Sequence, residues 1–298
     1  MATVRTLDAY SIHGHLAAGS PGEELLDYPS FFDALAARGV GRSLKVGTET
    51  VGPVDYVDLG GRMAFRFISG NDAESAEAYD PTTGTTVPVE LERERFIVSS
   101  AWVVVDPEAR ILILERKRPG VPVYQLERYL SGFGRDEGFD RLRVSLNPVP
   151  SPSFVEEILS FDRIREASIT IRRPNHSFTE SAREAVAQIA RDSNAGSATV
   201  QVNAERKESL EKDSGIVADI VSFARSPITP VLNAVVKGFR AGFGKERTVS
   251  LKKHQLKATA TLRDADSPRQ QLEAVEASAI VLIDQAKEVE GDGLEEID

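Results

Sequence analysis

The chain has 298 residues, 41% of them hydrophobic, and a formal net charge of -10. That is enough for a sizeable core, and the absence of cysteine excludes a disulfide framework, a thiolate metal site and a Cys nucleophile. The acidity argues against nucleic-acid binding by overall charge. The N-terminus lacks a basic-then-apolar leader and no apolar run approaches the ~18 residues of a spanning helix, so a cytoplasmic location is expected.

The first half reads mainly as strands. "TVRTLDAYSI" alternates in part, and "GGRMAFRFIS" sets Met63, Phe65 and Phe67 on one face of a half-buried strand. Ahead of these, "SIHGHL" places His13 and His15 on one side of a strand, a pair that could hold a metal only with a third ligand, so ordinary strand histidines are preferred. "GNDAESAEAYDPTTGTTVPVE" is polar and rich in turn residues, and is expected to be an exposed loop. "FIVSSAWVVVDPEARILILERKRPG" is two apolar runs joined at Asp106-Pro107-Glu108-Ala109, which predicts a hairpin. Asp106, Glu115 and Lys117 in this hairpin form D-x8-E-x-K. Metal-dependent nucleases of the PD-(D/E)xK type use two such carboxylates for Mg²⁺ and a Lys beside the attacking water. The competing reading makes Asp106 a turn residue and "ERKRP" a charged strand end.

Further on, "SITIRRP" predicts a strand, "SFTESAREAVAQIARDSN" a helix opened by Ser177 and Glu180 as a capping box, and "ATVQVNA" a second strand, together a βαβ unit. His176, beside Arg172 and Arg173 ahead of that helix, could bind an anion, though a solvated strand end is the simpler reading. "SGIVADIVSFARSPITPVLNAVVKGFRAGFGK" is apolar and then basic, interrupted by Pro227 and Pro230. It predicts a helix, a bend and a second short helix, suited either to an anionic membrane surface or to packing on the body. "ERTVSLKKHQLKATATL" then predicts a strand pair. A last amphipathic helix over 267–289 is striped by Leu272, Val275, Ala279, Leu282, Ile283 and Ala286, and the end of the chain is an acidic tail, 291–298.

Residues 237–257 contain seven Lys or Arg and one Glu, a local +6 in an acidic chain. A basic, Gly-jointed segment is suited to following a phosphate backbone, while the acidic remainder confines DNA to one surface. The expected fold is α+β, a mixed β-sheet with packed helices. Residues 1–204 and 263–290 form the body and 205–262 a projecting basic arm.

The ordered series "SLKVGTETVGPVDYVDLGGRMAFRF", "VSSAWVVVDPEARILILERKRPG", "SPSFVEEILSFDRIREASITIRRPNHSFTESAREAVAQIA" and "ATVQVNAERKESLEKDSG", followed by the last helix, resembles the RexA family. RexA is the cytoplasmic sensor of the phage-exclusion system of lambda-type prophages. The resemblance implies a homodimer that binds double-stranded DNA with little sequence preference and signals to a RexB-like membrane protein. It also implies some fold similarity to the DNA-clamp protein RdgC. With no Gly-rich phosphate loop, G-x-S-x-G elbow or Walker A pattern in the sequence, no enzymatic activity and no cofactor are expected. It implies a basic pair after the "ATVQVNA" strand, where Arg206 and Lys207 are the basic residues present. With these, Lys237, Arg240, Lys245, Arg247, Lys252, Lys253 and Lys257 are the expected phosphate contacts, joined by Arg172 and Arg173.

Overall fold

The computed structural model describes residues 2–15, 26–71, 77–82, 84–89, 91, 95–139, 142–172, 197–225, 231–240, 242, 244–263 and 266–291. The fold is α+β, as expected. Every strand pairing among the described residues is antiparallel, however, so the sheets are not mixed.

The larger sheet has eight strands. β1 (Ala2–His15) lies between β14 (Lys257–Arg263) and β8 (Ile111–Arg116), and the sheet continues through β7 (Ser99–Asp106), β4 (Met63–Gly70), β3 (Glu49–Asp58) and β2 (Leu44–Val46). β9 (Arg143–Pro148) pairs with the later half of β1. The predicted hairpin is β7 and β8, closed by a turn at Pro107–Arg110. Its apolar runs are unbroken because both faces are covered. On one side, α1 (Tyr28–Ala34) and α2 (Val123–Asp136) pack Phe31, Phe32, Tyr129 and Phe133 against Phe65, Phe67, Val103 and Leu112. On the other, α5 (Pro268–Gly291) packs its predicted stripe against Leu7, Ala64, Trp102, Val104 and Ile113. Ser267 and Gln270 open α5 by capping each other: the Ser267 amide donates to Gln270 Oε1 at 2.9 Å and the Gln270 amide to Ser267 Oγ at 3.4 Å. The polar stretch expected to be a loop contains a two-stranded ribbon, β5 (Glu77–Asp80) with β6 (Thr85–Pro88).

The smaller sheet runs in the order β11 (Ser197–Asn203), β10 (Arg163–Arg172), β12 (Val231–Phe239), β13 (Arg247–Ser250). α3 (Pro152–Leu159) and α4 (Gly215–Arg225) cover one face, where Phe154, Ile158, Ile220 and Phe223 meet Ile164, Ala167, Ala234 and Val236. β10 and β11 are antiparallel neighbours, with Thr170 opposite Thr199. The βαβ reading is therefore incorrect, since that unit requires parallel strands. The helix predicted over 177–194 lies outside the described residues.

Two further expectations give way. The segment after Pro230 is the strand β12 and not a second helix; its "VLNAVVKGF" pattern buries Val231, Ala234 and Val236 against α4 and α3. The predicted strand pair is instead β13 and β14, which belong to different sheets. Consequently the stretch 205–262 does not project as an arm. It supplies an inner strand of the smaller sheet, that sheet's edge strand and an edge strand of the larger sheet.

The chain crosses between sheets twice, side by side. The segment after β9 and the segment before β14 pair at Pro150 and Gln255, the Ser151 amide donates to His254 O at 2.8 Å, and Gln255 Nε2 donates to Ala9 O at 2.8 Å. Among the described residues, no helix is long and apolar enough to cross a membrane.

Candidate nucleic-acid interface

The antiparallel order of the smaller sheet decides which basic residues meet. β10 begins where β11 ends, where β12 ends and where β13 begins: Glu166 faces Asn203 and Lys237, Arg163 faces Phe239, and Gly238 faces Arg247. Arg206 and Lys207 follow β11 in a turn that folds back along β10, held where the Ala204 amide donates to Arg165 O at 2.8 Å and the Leu210 amide to Ile164 O at 2.9 Å. Arg240 follows β12, and Lys245 precedes β13. Six of the candidate residues thus share one end of one sheet.

β10 adds Arg163 and Arg165 to this end. The Arg163 guanidinium lies over the Phe239 ring, 4.4 Å from its centroid. Arg165 Nε pairs with Glu246 at 2.7 Å, and Lys237 Nζ with Glu166 at 2.8 Å. These pairs hold the sheet end in shape and leave Arg206, Lys207, Arg240 and Lys245 exposed to solvent. Neither Arg163 nor Arg165 stood out in the sequence, because "DRIRE" is locally balanced in charge; only the register of β10 brings them beside the other cations.

The remaining candidates lie elsewhere. Arg172 closes β10 at its opposite end, about 20 Å along the strand from Glu166. Lys252 and Lys253 stand beyond the far end of β13, and Lys257 opens β14 opposite Asp8 in the larger sheet. Arg173 and His176 lie outside the described residues.

The outward face of the smaller sheet is largely polar, with Val235 of β12 half-buried among the hydroxyls. Its strands present Ser168, Thr170, Thr199, Gln201, Thr248 and Ser250 opposite the helix-covered side, and the Thr170 and Thr199 hydroxyls meet at 3.0 Å. Hydroxyl and amide groups of this kind donate to phosphate and sugar oxygens.

The D-x8-E-x-K residues do not assemble a metal site. Asp106 pairs with Ile111, and Glu115 is four residues farther along β8, a separation of about 13 Å. Carboxylate oxygens sharing one Mg²⁺ would stand within about 3 Å of each other. Both groups are also engaged in the fold. Asp106 Oδ1 accepts from the Ala109 amide at 3.0 Å and its Oδ2 pairs with Lys287 at 2.7 Å, while Glu115 Oε2 accepts from the Trp102 amide at 3.0 Å. Burial pushes the Asp106 carboxyl up, but Lys287, the Ala109 amide and Arg62 outweigh it and hold the group below its ordinary value. His13 Nε2 bonds Ser11 Oγ at 3.0 Å, and no cluster of three metal-binding side chains occurs among the described residues. The apolar face of α4, which attachment to a membrane surface would require, is packed into the smaller sheet's core.

Asp8 behaves in the opposite way to Asp106. Burial raises its carboxyl, and Arg116 and Lys257 offset this only in part. Ionised Asp8 therefore costs stability above its ordinary value of 3.8; the cost is absent below that value and grows as pH rises through the folded-state pKa. Asp8→Asn is expected to raise the melting temperature at pH 7, with a gain that shrinks as the pH falls towards about 4. Thermal unfolding at the two pH values measures it, and an equal gain at both would contradict the assignment.

Residues 103–226, less than half of the chain, match a family described as a domain of unknown function (DUF4747). The matched segment runs from β7 to the end of α4 and so includes Arg163, Arg165, Arg206 and Lys207. No curated protein matches the sequence.

Proposed function

We propose that this protein binds duplex DNA without strong sequence preference, through the basic end of its smaller sheet. The observation that carries the reading is the convergence of Arg163, Arg165, Arg206, Lys207, Arg240 and Lys245, from four separate segments, on one sheet end of a chain whose net charge is -10. Cations gathered in that way have a common target in a line of phosphates, and they outnumber the carboxylates among them, of which Glu166 and Glu246 are paired with Lys237 and Arg165. None of these residues lies on a helix that could enter a groove, which agrees with contacts to phosphate and not to base edges. The resemblance to RexA supplies the biological setting of the proposal: a dimeric, non-enzymatic sensor of superinfecting phage DNA that signals to a RexB-like membrane partner.

The test is a salt-titrated binding assay with unrelated duplexes of one length. Four or five neutralised phosphates predict a slope of log affinity on log salt of about -4, the same for every sequence. A strong preference for one duplex would overturn the sequence-independent reading.

A further inference from the structure

A second site lies on the larger sheet, away from the basic end and independent of the DNA reading. A cleft of about 830 Å³ opens between the middle of β1, the ends of β8 and β4 and the loop that leads into α2. Its volume is in the range of small-ligand pockets. Its lining is graded in chemistry. The deep wall carries hydrogen-bond acceptors: Asp8, which is 4% exposed, and Gln125, which is 3% exposed. The remaining charged lining is three consecutive cations at the rim, Arg116, Lys117 and Arg118, and one half-buried carboxylate, Glu49.

Gln125 is the informative residue. Its Nε2 donates to Tyr124 Oη at 3.4 Å, whereas its Oε1 is buried with no hydrogen-bond partner. A buried carbonyl left unpaired is costly, and a small turn of the Gln125 amide towards the cleft would offer it to a donor on a ligand. Asp8 reaches Arg116 only at 3.5 Å, which leaves carboxylate acceptor capacity facing the same space. Ser69, also in the wall, is held towards Glu49 at 3.5 Å. α2 starts at this wall with Pro122 as its N-cap and no side-chain cap, so its first amides and positive end add to the rim cations.

We propose that this cleft binds a nucleoside monophosphate, its base inward and its phosphate at the rim. The base supplies N–H donors to Gln125 Oε1 and Asp8, and guanine, which carries two such donors in N1–H and N2–H, has one for each acceptor. Lys117 and Arg118 hold the phosphate. Val121 and Val123 line the same cleft and give the base and ribose an apolar surface.

The experiment is isothermal titration of the full chain with GMP, guanosine and inorganic phosphate, each to about 1 mM. GMP is expected to bind, with guanosine and phosphate each at least about tenfold weaker because each engages only one half of the site. Lys117→Ala with Arg118→Ala, both on the surface loop, should weaken GMP about tenfold or more and leave guanosine unchanged. Gln125→Met, which keeps the volume and removes the acceptor, should weaken guanosine as well. Absence of GMP binding overturns the proposal, as does inorganic phosphate binding as tightly as GMP, or GMP affinity unchanged in the loop variant. Duplex binding by the same loop variant should stay at the wild-type level, so this site and the basic sheet end can fail separately.

Discussion

Reversing Arg206 and Lys207 together, Arg206→Glu with Lys207→Glu, is expected to weaken duplex DNA binding by about 60-fold or more at roughly 0.1 M salt. Each phosphate contact releases about 0.9 of a counterion, which at that salt is worth a factor of about 8 in affinity, and two contacts multiply. Reversal adds repulsion to the loss. Both side chains are exposed and sit in a turn, so folding should be unaffected. Lys207 already holds a positive φ of 74°, a strain that Glu inherits without change. Lys252→Glu with Lys253→Glu is the matched comparison. It changes charge equally but at the far side of β13, and is expected to cost no more than about threefold, since screening confines each charge to a neighbourhood of about 8–10 Å. A gel shift at fixed salt distinguishes the pair, and equal losses from both would place the contact surface elsewhere.

The largest stability effect is expected at α5. Leu282→Ala should cost about 2–5 kcal/mol, because Leu282 is fully buried between α5 and the β7–β8 face of the larger sheet, and its removal leaves a cavity lined by rigid strands. Val281, one position away, is 55% exposed, so Val281→Ala should change stability by no more than about 0.5 kcal/mol. Urea unfolding of the two variants measures the difference. Similar values for both would mean that α5 does not cover the sheet along the stripe from Leu272 to Ala286.

That stripe was legible in the sequence because helical periodicity is a local property: every third or fourth residue is apolar and Ser267-Pro268 marks the start. The β7–β8 hairpin was legible for the same reason, two apolar runs around Asp106-Pro107. The errors concern which strand pairs with which. "SITIRRP" and "ATVQVNA" were both identified as strands, yet their antiparallel pairing depends on where the chain returns, which no local pattern records. β12 carries "VLNAVVKGF", whose apolar spacing suits a short helix nearly as well as a strand, and only its place between β10 and β13 settles it.

The basic residues divide along the same line. Charge composition picked out 237–257 as a unit, but the structure parts it: Lys237, Arg240, Lys245 and Arg247 remain with the smaller sheet's basic end, while Lys252, Lys253 and Lys257 follow the chain towards the larger sheet. Arg206 and Lys207, 30 or more residues earlier in the chain than Lys237, join the first group through the turn after β11. Asp106 and Glu115 show the converse. Their spacing imitates a nuclease motif, and the register of the hairpin puts them about 13 Å apart, each engaged in holding the fold.

The basic sheet end is tested most directly by the salt dependence of duplex binding in the wild type and in the Arg206→Glu, Lys207→Glu variant. Phosphate contact through this surface predicts a wild-type slope of log affinity on log salt of about -4, reduced by about 2 in the variant. A wild-type slope near zero, or one left unchanged by the double reversal, would contradict it.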